Sequence, residues 1–227
     1  KMIKNDILRE INLTASAGVS YNKFLAKLAS DYNKPSGLTV ITPKDAQEFL
    51  DELPIHKFFG IGKVTSRILK NLGINNGYDL RQLSIHELEQ IFKNRGYSFY
   101  QLARGIDFRP VEPYRERKSI GAETTLSYNL NIDDEEVAEI LSELCEEVAY
   151  RTKHSEKLGK TITLKIKYED FTQITRSISV EHPICTQEDI RTHVYNLLKN
   201  VHSEDKQIRL LGVTLSNLVD SKDEFTN

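Results

Sequence analysis

Residues 161–168 alternate without exception between two chemistries. Thr161, Thr163, Lys165 and Lys167 occupy one phase; Ile162, Leu164, Ile166 and Tyr168 occupy the other. A period of two held this long means a strand buried on one face and wetted on the other. Such a strand needs neighbours, because a lone hairpin is marginal in water. The flanking sequence supplies them. Ser119 to Ser127 reads as a strand, and Asp133 to Lys153 as a helix with Val137, Ile140, Leu141, Leu144 and Val148 in one stripe. Asp170 to Thr172 turns the chain into a strand from Ile174 to Val180. Gln187 to Val201 is a second helix, and Ile208 to Leu215 a last strand.

The order β-α-β-β-α-β is ferredoxin-like, with helices on one face and an open sheet on the other. Upstream, Ile3, Ile7, Leu8 and Ile11 recur at helical spacing, Thr14 to Val19 reads as a short strand, and Asn22 to Asn33 as a helix. Pro35-Ser36-Gly37 ends that helix, and Leu38 to Ile41 is another strand. This β-α-β material does not close a domain by itself; it resembles part of a larger sheet. Asp45 to Leu53 opens a helical stretch that reaches Gly105. Within it Ser84 and Glu87 have the spacing of a capping box, and Gly96 separates two helices. Residues 106–117, with Pro110 and Pro113, read as an extended tether. The fold class is therefore α+β, in segments 1–42, 43–105, 106–117, 118–219 and a tail, 220–227.

The run Phe58-Phe59-Gly60-Ile61-Gly62-Lys63-Val64-Thr65-Ser66 predicts a helix–hairpin–helix. Two glycines around one apolar residue bare backbone amides ahead of a helix N-terminus, where partial positive charge suits a phosphate. Amides that touch phosphate fix register on a duplex without reading sequence. The plainer alternative is an ordinary turn between two helices. Net charge is −2, but residues 1–44 hold seven cations (Lys1, Lys4, Arg9, Lys23, Lys27, Lys34, Lys44) against three anions (Asp6, Glu10, Asp31). Eight acids crowd the 133–147 segment, a face expected to turn away from DNA. Cys145 and Cys185 are too few for a disulfide framework, which points to a reducing cytosol. No Cys/His cluster has zinc-ligand spacing, and no apolar run approaches the roughly 20 residues of a membrane helix.

Taken in order, Thr14-Ala15-Ser16-Ala17-Gly18-Val19-Ser20, Asn22-Lys23-Phe24-Leu25-Ala26-Lys27 and Lys34-Pro35-Ser36-Gly37-Leu38 are similar to the palm of Y-family translesion DNA polymerases. The hairpin and its helices resemble that family's thumb. Lys118-Ser119-Ile120-Gly121 and Ile208-Arg209-Leu210-Leu211-Gly212-Val213 resemble its little finger. The resemblance implies a DNA-binding C-terminal portion of an error-prone polymerase, cytoplasmic and off the membrane. It implies that Lys34 reaches a nucleotide triphosphate, and that Gly60, Gly62, Lys63 and Thr65 hold a primer phosphate. Lys118, Ser119, Thr124, Arg176 and Arg209, with the outward Lys165 and Lys167, would contact duplex backbone. Arg176, however, shares parity with Ile174 and Ile178, which puts it on the open face only if a bulge intervenes.

The family's catalytic carboxylates precede the Thr14–Gly18 strand in its pattern, so magnesium is implied for a parent polymerase and no metal is expected on this chain. Primer–template DNA is the implied partner, with deoxynucleoside triphosphate in the parent. A sliding clamp would need a Gln-and-aromatic peptide, which Asp220 to Asn227 does not match. Two alternatives stay open: a non-catalytic repair module, and the mutagenesis-type branch of the same family. An RNA-binding protein would want exposed aromatics on the open sheet, where this strand offers Thr and Lys.

Overall fold

The alternating segment becomes the long strand β4 (Lys157–Tyr168), with Ile162, Leu164 and Ile166 fully buried. The computed structural model describes residues 1–201 and 206–221. They fall into two units, 1–113 and 114–227, divided inside the stretch read as a tether.

In the second unit β3 (Ser119–Leu130), α8 (Glu135–His154), β4, β5 (Gln173–Ile184), α9 (Gln187–Lys199) and β6 (Ile208–Asp220) follow in the expected order. The sheet runs β3-β6-β4-β5 with every neighbouring pair antiparallel. Each helix therefore crosses over one intervening strand. Register decides which side chains share a face. Ile162 lies opposite Leu215, Leu164 opposite Val213 and Ile166 opposite Leu211, and all six are buried. Against them pack Val137, Leu141, Leu144, Cys145 and Val148 of α8 and Ile190 and Val194 of α9. Burial pushes the Cys145 thiol up to about 12, so it is an inert part of this core. Thr186 caps α9, its hydroxyl accepting from Asp189 N at 3.2 Å.

The first unit begins with α1 (Met2–Ile11), which buries none of its residues. Strand β1 (Ala17–Ser20) pairs in parallel with β2 (Leu38–Ile41) through α2 (Lys23–Tyr32). The ladder starts at Ala17, three residues later than the apolar pattern suggested, because β2 offers only four partners. A Cβ on Gly18 would come within 2.2 Å of Ala26 O and Ser30 N, so β1 lies directly on α2. Next come α3 (Ala46–Glu52), α4 (Lys63–Asn71), α5 (Gly77–Gln82), α6 (Ile85–Phe92) and α7 (Gly96–Leu102). The capping box at Ser84 and Glu87 is formed at the start of α6. Leu50, Ile55, Phe58, Leu69, Leu80, Leu88 and Phe99 join Phe24 and Leu25 of α2 in one core. A bidentate Arg81–Asp51 pair, at 2.6 and 3.0 Å, ties α5 to α3.

The segment after α7 fastens the start of α2. Asn22 caps that helix through Leu25 N and donates to Gly105 O at 2.7 Å. Asp107, only 3% exposed, accepts from Phe24 N at 3.1 Å and from the Arg109 guanidinium at 2.7 and 2.9 Å.

Two outcomes follow from this packing. Gly77 stands so close to α3 that a Cβ would lie 1.9 Å from Leu50 O. Gly77→Ala should lower stability by about 1–3 kcal/mol in urea unfolding followed by circular dichroism. The Arg109 guanidinium, with the Phe24 and Arg109 amides, holds the Asp107 carboxyl below its ordinary value of 3.8. A lowered folded value means the stabilisation is complete above that pH and fades as pH falls below it. Asp107→Asn should cost about 1–3 kcal/mol at neutral pH and flatten the loss of stability below pH 4, both measurable by unfolding across a pH series.

Candidate nucleic-acid interface

At the hairpin, Phe58 is buried against Phe24, ring centroids 5.9 Å apart, and Ile61 is buried beside it. These two anchors hold down a turn closed by Ile61 N donating to Phe58 O at 3.0 Å. Gly60 has φ +93, a region open to glycine and strained for other residues. Gly62 is the N-cap of α4, and the first hydrogen bond of that helix is Ser66 N to Gly62 O at 2.9 Å. The amides of Lys63, Val64 and Thr65 therefore precede the helical ladder, and Gly62 has no side chain to occupy them. Nothing lies within 4 Å of a Cβ built on Gly60 or Gly62. The backbone is bare toward solvent, as an anion cradle requires. Buried Ser66 seats the helix closely, while Lys63 is exposed and Thr65 half-buried. At the far end Gly73, φ +81, closes α4 with Ile74 N to Leu69 O and Gly73 N to Lys70 O, both 3.0 Å.

Arg95 is a residue that sequence reading missed. Its guanidinium donates to Gly60 O at 2.6 Å and lies 4.9 Å from the Phe99 ring centroid. It braces the glycine turn from 35 residues away and adds a positive charge beside the bare amides. Nothing local in the sequence signals it.

Lys34 is exposed at the α2–β2 connection and bonded to Asp31 at 2.6 Å. Asp31 also takes Lys27 at 2.7 Å, the i,i+4 pair the sequence suggests. The two lysines hold the Asp31 carboxyl below its ordinary range. A carboxylate so engaged is a poor metal ligand. Among the described residues no group of three or more His, Cys, Asp or Glu could hold a metal ion. The described residues therefore do not fit a two-magnesium centre.

On the second unit, the face away from the helices carries Ser119, Glu123 and Thr125 of β3 and Thr214 and Ser216 of β6. Beside them lie Thr161, Thr163, Lys165 and Lys167 of β4 and Thr175, Ser177 and Ser179 of β5. Hydroxyls pair across it, Thr161 with Ser179 at 2.9 Å and Thr163 with Ser177 at 2.8 Å. Lys165 reaches over Gly212 to Glu123 at 2.7 Å. Lys118 is exposed just ahead of β3.

The expected contact residues do not all share that face. Thr124 is opposite buried Leu211 and lines a cleft against α8 with Leu126, Ile140 and Glu143. Arg176 is opposite buried Leu164, and the β4–β5 register runs unbroken from Lys167–Gln173 to Thr161–Ser179. Without a bulge there, Arg176 stays in phase with Ile174 and Ile178. The bulge falls instead in β6, where Lys167 faces Leu210 and Tyr168 faces Ile208. Ile208 and Leu211 are both fully buried, so Arg209 and Leu210 between them both turn outward. The acidic residues of α8 lie on the opposite, helix-covered side of the sheet.

Models of the impB/mucB/samB family match residues 1–31, its HHH motif residues 43–74, and its C-terminal domain residues 117–226. The chain belongs to the impB/mucB/samB family. It is 68% identical over 225 residues to DNA polymerase IV of Clostridioides difficile (strain 630), covering 99% of this chain and 62% of that protein. It is 46% identical over 224 residues to DNA polymerase IV of Bacteroides fragilis (strain YCH46), covering 99% of this chain and 61% of that protein. A solved Y-family DNA polymerase chimera, Dbh-Dpo4(243-245)-Dbh, superposes with a TM-score of 0.77 at 32% identity. That match covers 96% of this chain and 63% of the chimera. The chain thus spans about three fifths of the relatives it matches. Family membership extends over both units, so the hairpin and the open sheet are parts of one family pattern. Residues 222–227, most of the tail that lacks a match to a clamp peptide, lie outside the described residues.

Gly62 has φ −78 and ψ 176, which any residue adopts, and open space around its Cβ position. Gly62→Val should therefore fold with an unchanged melting temperature yet bind duplex DNA about tenfold more weakly in fluorescence anisotropy. Unchanged affinity would make the hairpin a plain turn.

Proposed function

We propose that this chain is the DNA-gripping portion of a translesion DNA-directed DNA polymerase of the DNA polymerase IV kind. The observation that carries the reading is the run of bare amides from Lys63 to Thr65, just after Gly62, opening α4 within a segment matched by the family's HHH motif. Three unsatisfied donors and the positive end of a nine-residue helix suit one backbone phosphate of a primer strand. The second unit supports the same reading by a different chemistry. Its open face offers hydroxyls and the cations Lys165, Lys167 and Arg209, all fit for phosphate oxygens and none arranged to read base edges. Lys118 and Ser119 extend that surface at the start of β3; Thr124 and Arg176 are candidates only for contacts made from the other face. Such a grip holds DNA of any sequence and tolerates a distorted template.

Lys34 is the proposed contact for the triphosphate of an incoming nucleotide. An arriving triphosphate would compete with Asp31 for its ammonium, an exchange of one charge-assisted bond for another. Magnesium belongs to the proposed parent activity, and the residues of this chain are assigned binding rather than bond-making. A cytoplasmic location accompanies the reading, and no helix among the described residues is long and apolar enough to cross a membrane. A sliding clamp remains a partner proposed for the parent alone.

Titration of labelled primer–template with the 227-residue chain at two salt concentrations tests the reading. Sequence-independent binding is expected, with log affinity falling about 0.9 per phosphate contact for each tenfold rise in salt. No binding even at low salt overturns it. In the same tube, primer extension should not exceed a buffer control.

A further inference from the structure

The β4–β5 turn carries a residue that its backbone does not favour. Phe171 has φ +63, the left-handed region, where glycine or asparagine costs less than a bulky ring. The turn is otherwise well built: Phe171 N donates to Tyr168 O and Tyr168 N to Thr172 O, both at 2.9 Å. Asp170 caps it by accepting from Thr172 N and from the Thr172 hydroxyl. The ring is not there to fill a core, since Phe171 is 62% exposed. What surrounds it is charge. The Lys167 ammonium lies 4.9 Å from its centroid and the Arg209 guanidinium 5.0 Å. Arg209 reaches it only because the β6 bulge turns both Arg209 and Leu210 outward.

A ring placed at the expense of backbone strain, with two cations drawn to it, calls for a reason at the surface. We propose that Phe171 is a positioning residue: its ring holds Lys167 and Arg209 together at one end of the open face as a paired contact for DNA backbone phosphates. The two charges can be no more than the sum of their ring distances apart, 9.9 Å. Left to themselves, two like-charged long side chains would diverge and lose rotamer freedom only on binding. Phe171 supplies that ordering in advance, so more of the phosphate contact appears as affinity. A base-stacking role fits less well, because both cations already approach the ring that a base would need.

This inference rests on the open face being a duplex-binding surface, and the variants separate the two. Duplex affinity and its salt dependence are measured by anisotropy for the full chain, for K167Q, R209Q, F171N and F171Y, and for F171N combined with K167Q and R209Q. A single-stranded oligonucleotide of equal length is titrated in parallel. Phe171→Asn suits the left-handed backbone, so its melting temperature should hold or rise while duplex affinity falls about three- to tenfold with a shallower salt slope. Phe171→Tyr should bind as the parent does. In the K167Q/R209Q background, adding F171N should change affinity less than twofold.

If K167Q and R209Q leave affinity unchanged, the open face is not a duplex surface and the inference falls with it. If they weaken binding but F171N does not, or F171N weakens it equally in both backgrounds, only the positioning role is overturned. A loss confined to the single strand, with an unaltered salt slope, would replace it by base stacking.

Discussion

Burial on one side only is the constraint from which the second unit follows. The pairs Ile162–Leu215, Leu164–Val213 and Ile166–Leu211 commit one face of the two central strands to α8 and α9. A slip of one residue would carry every one of those side chains into water, so register is strongly set. The same commitment leaves the other face to polar residues, and four paired hydroxyls and the Lys165–Glu123 bridge occupy it. The candidate DNA surface is thus not an addition to the fold. It is the remainder once the core has been satisfied.

The first unit solves a different problem, that of short helices with little core to share. It does so by close backbone approach, with Gly18 on α2, Gly77 on α3 and Gly96 on α6 leaving no room for a Cβ. Polar clamps at Asp51–Arg81 and Asp107–Arg109 close the remaining gaps. Against this tight background Gly60, Gly62 and Gly73, at the two ends of α4, have open space around their Cβ positions. Gly60 is required there by its own backbone, at φ +93, whereas Gly62, in a conformation any residue adopts, is the glycine that the packing of the protein does not call for.

Much of this was legible in the residues themselves. Period two gave β4, the α8 stripe was readable at Val137, Leu141, Leu144 and Val148, and Ser84–Glu87 announced its helix start. The parity of Arg176 already pointed to the helix side of the sheet. Thr124 could have been phased the same way from Ile120, since strand side chains alternate. The β6 bulge left a fainter sign: Ile208 and Leu211 are three apart, which no regular strand can bury on one face. Arg95 on Gly60 and Asp107 on Phe24 join residues 35 and 83 apart, and no local pattern carries such pairings. Element ends also shifted where a partner strand ran out, as β1 did.

Gly212 has an electrical consequence. Having no side chain, it lets Lys165 and Glu123 meet above β6, and an exposed ion pair of this kind is worth at most about 1 kcal/mol. From a distance the middle of the sheet is therefore neutral. A phosphate arriving within reach can take Lys165 from Glu123 at little cost. A charge cancelled at long range and released on contact helps to retain a duplex without helping to attract one. On the proposed reading, capture and retention of a duplex fall to different residues of the same chain.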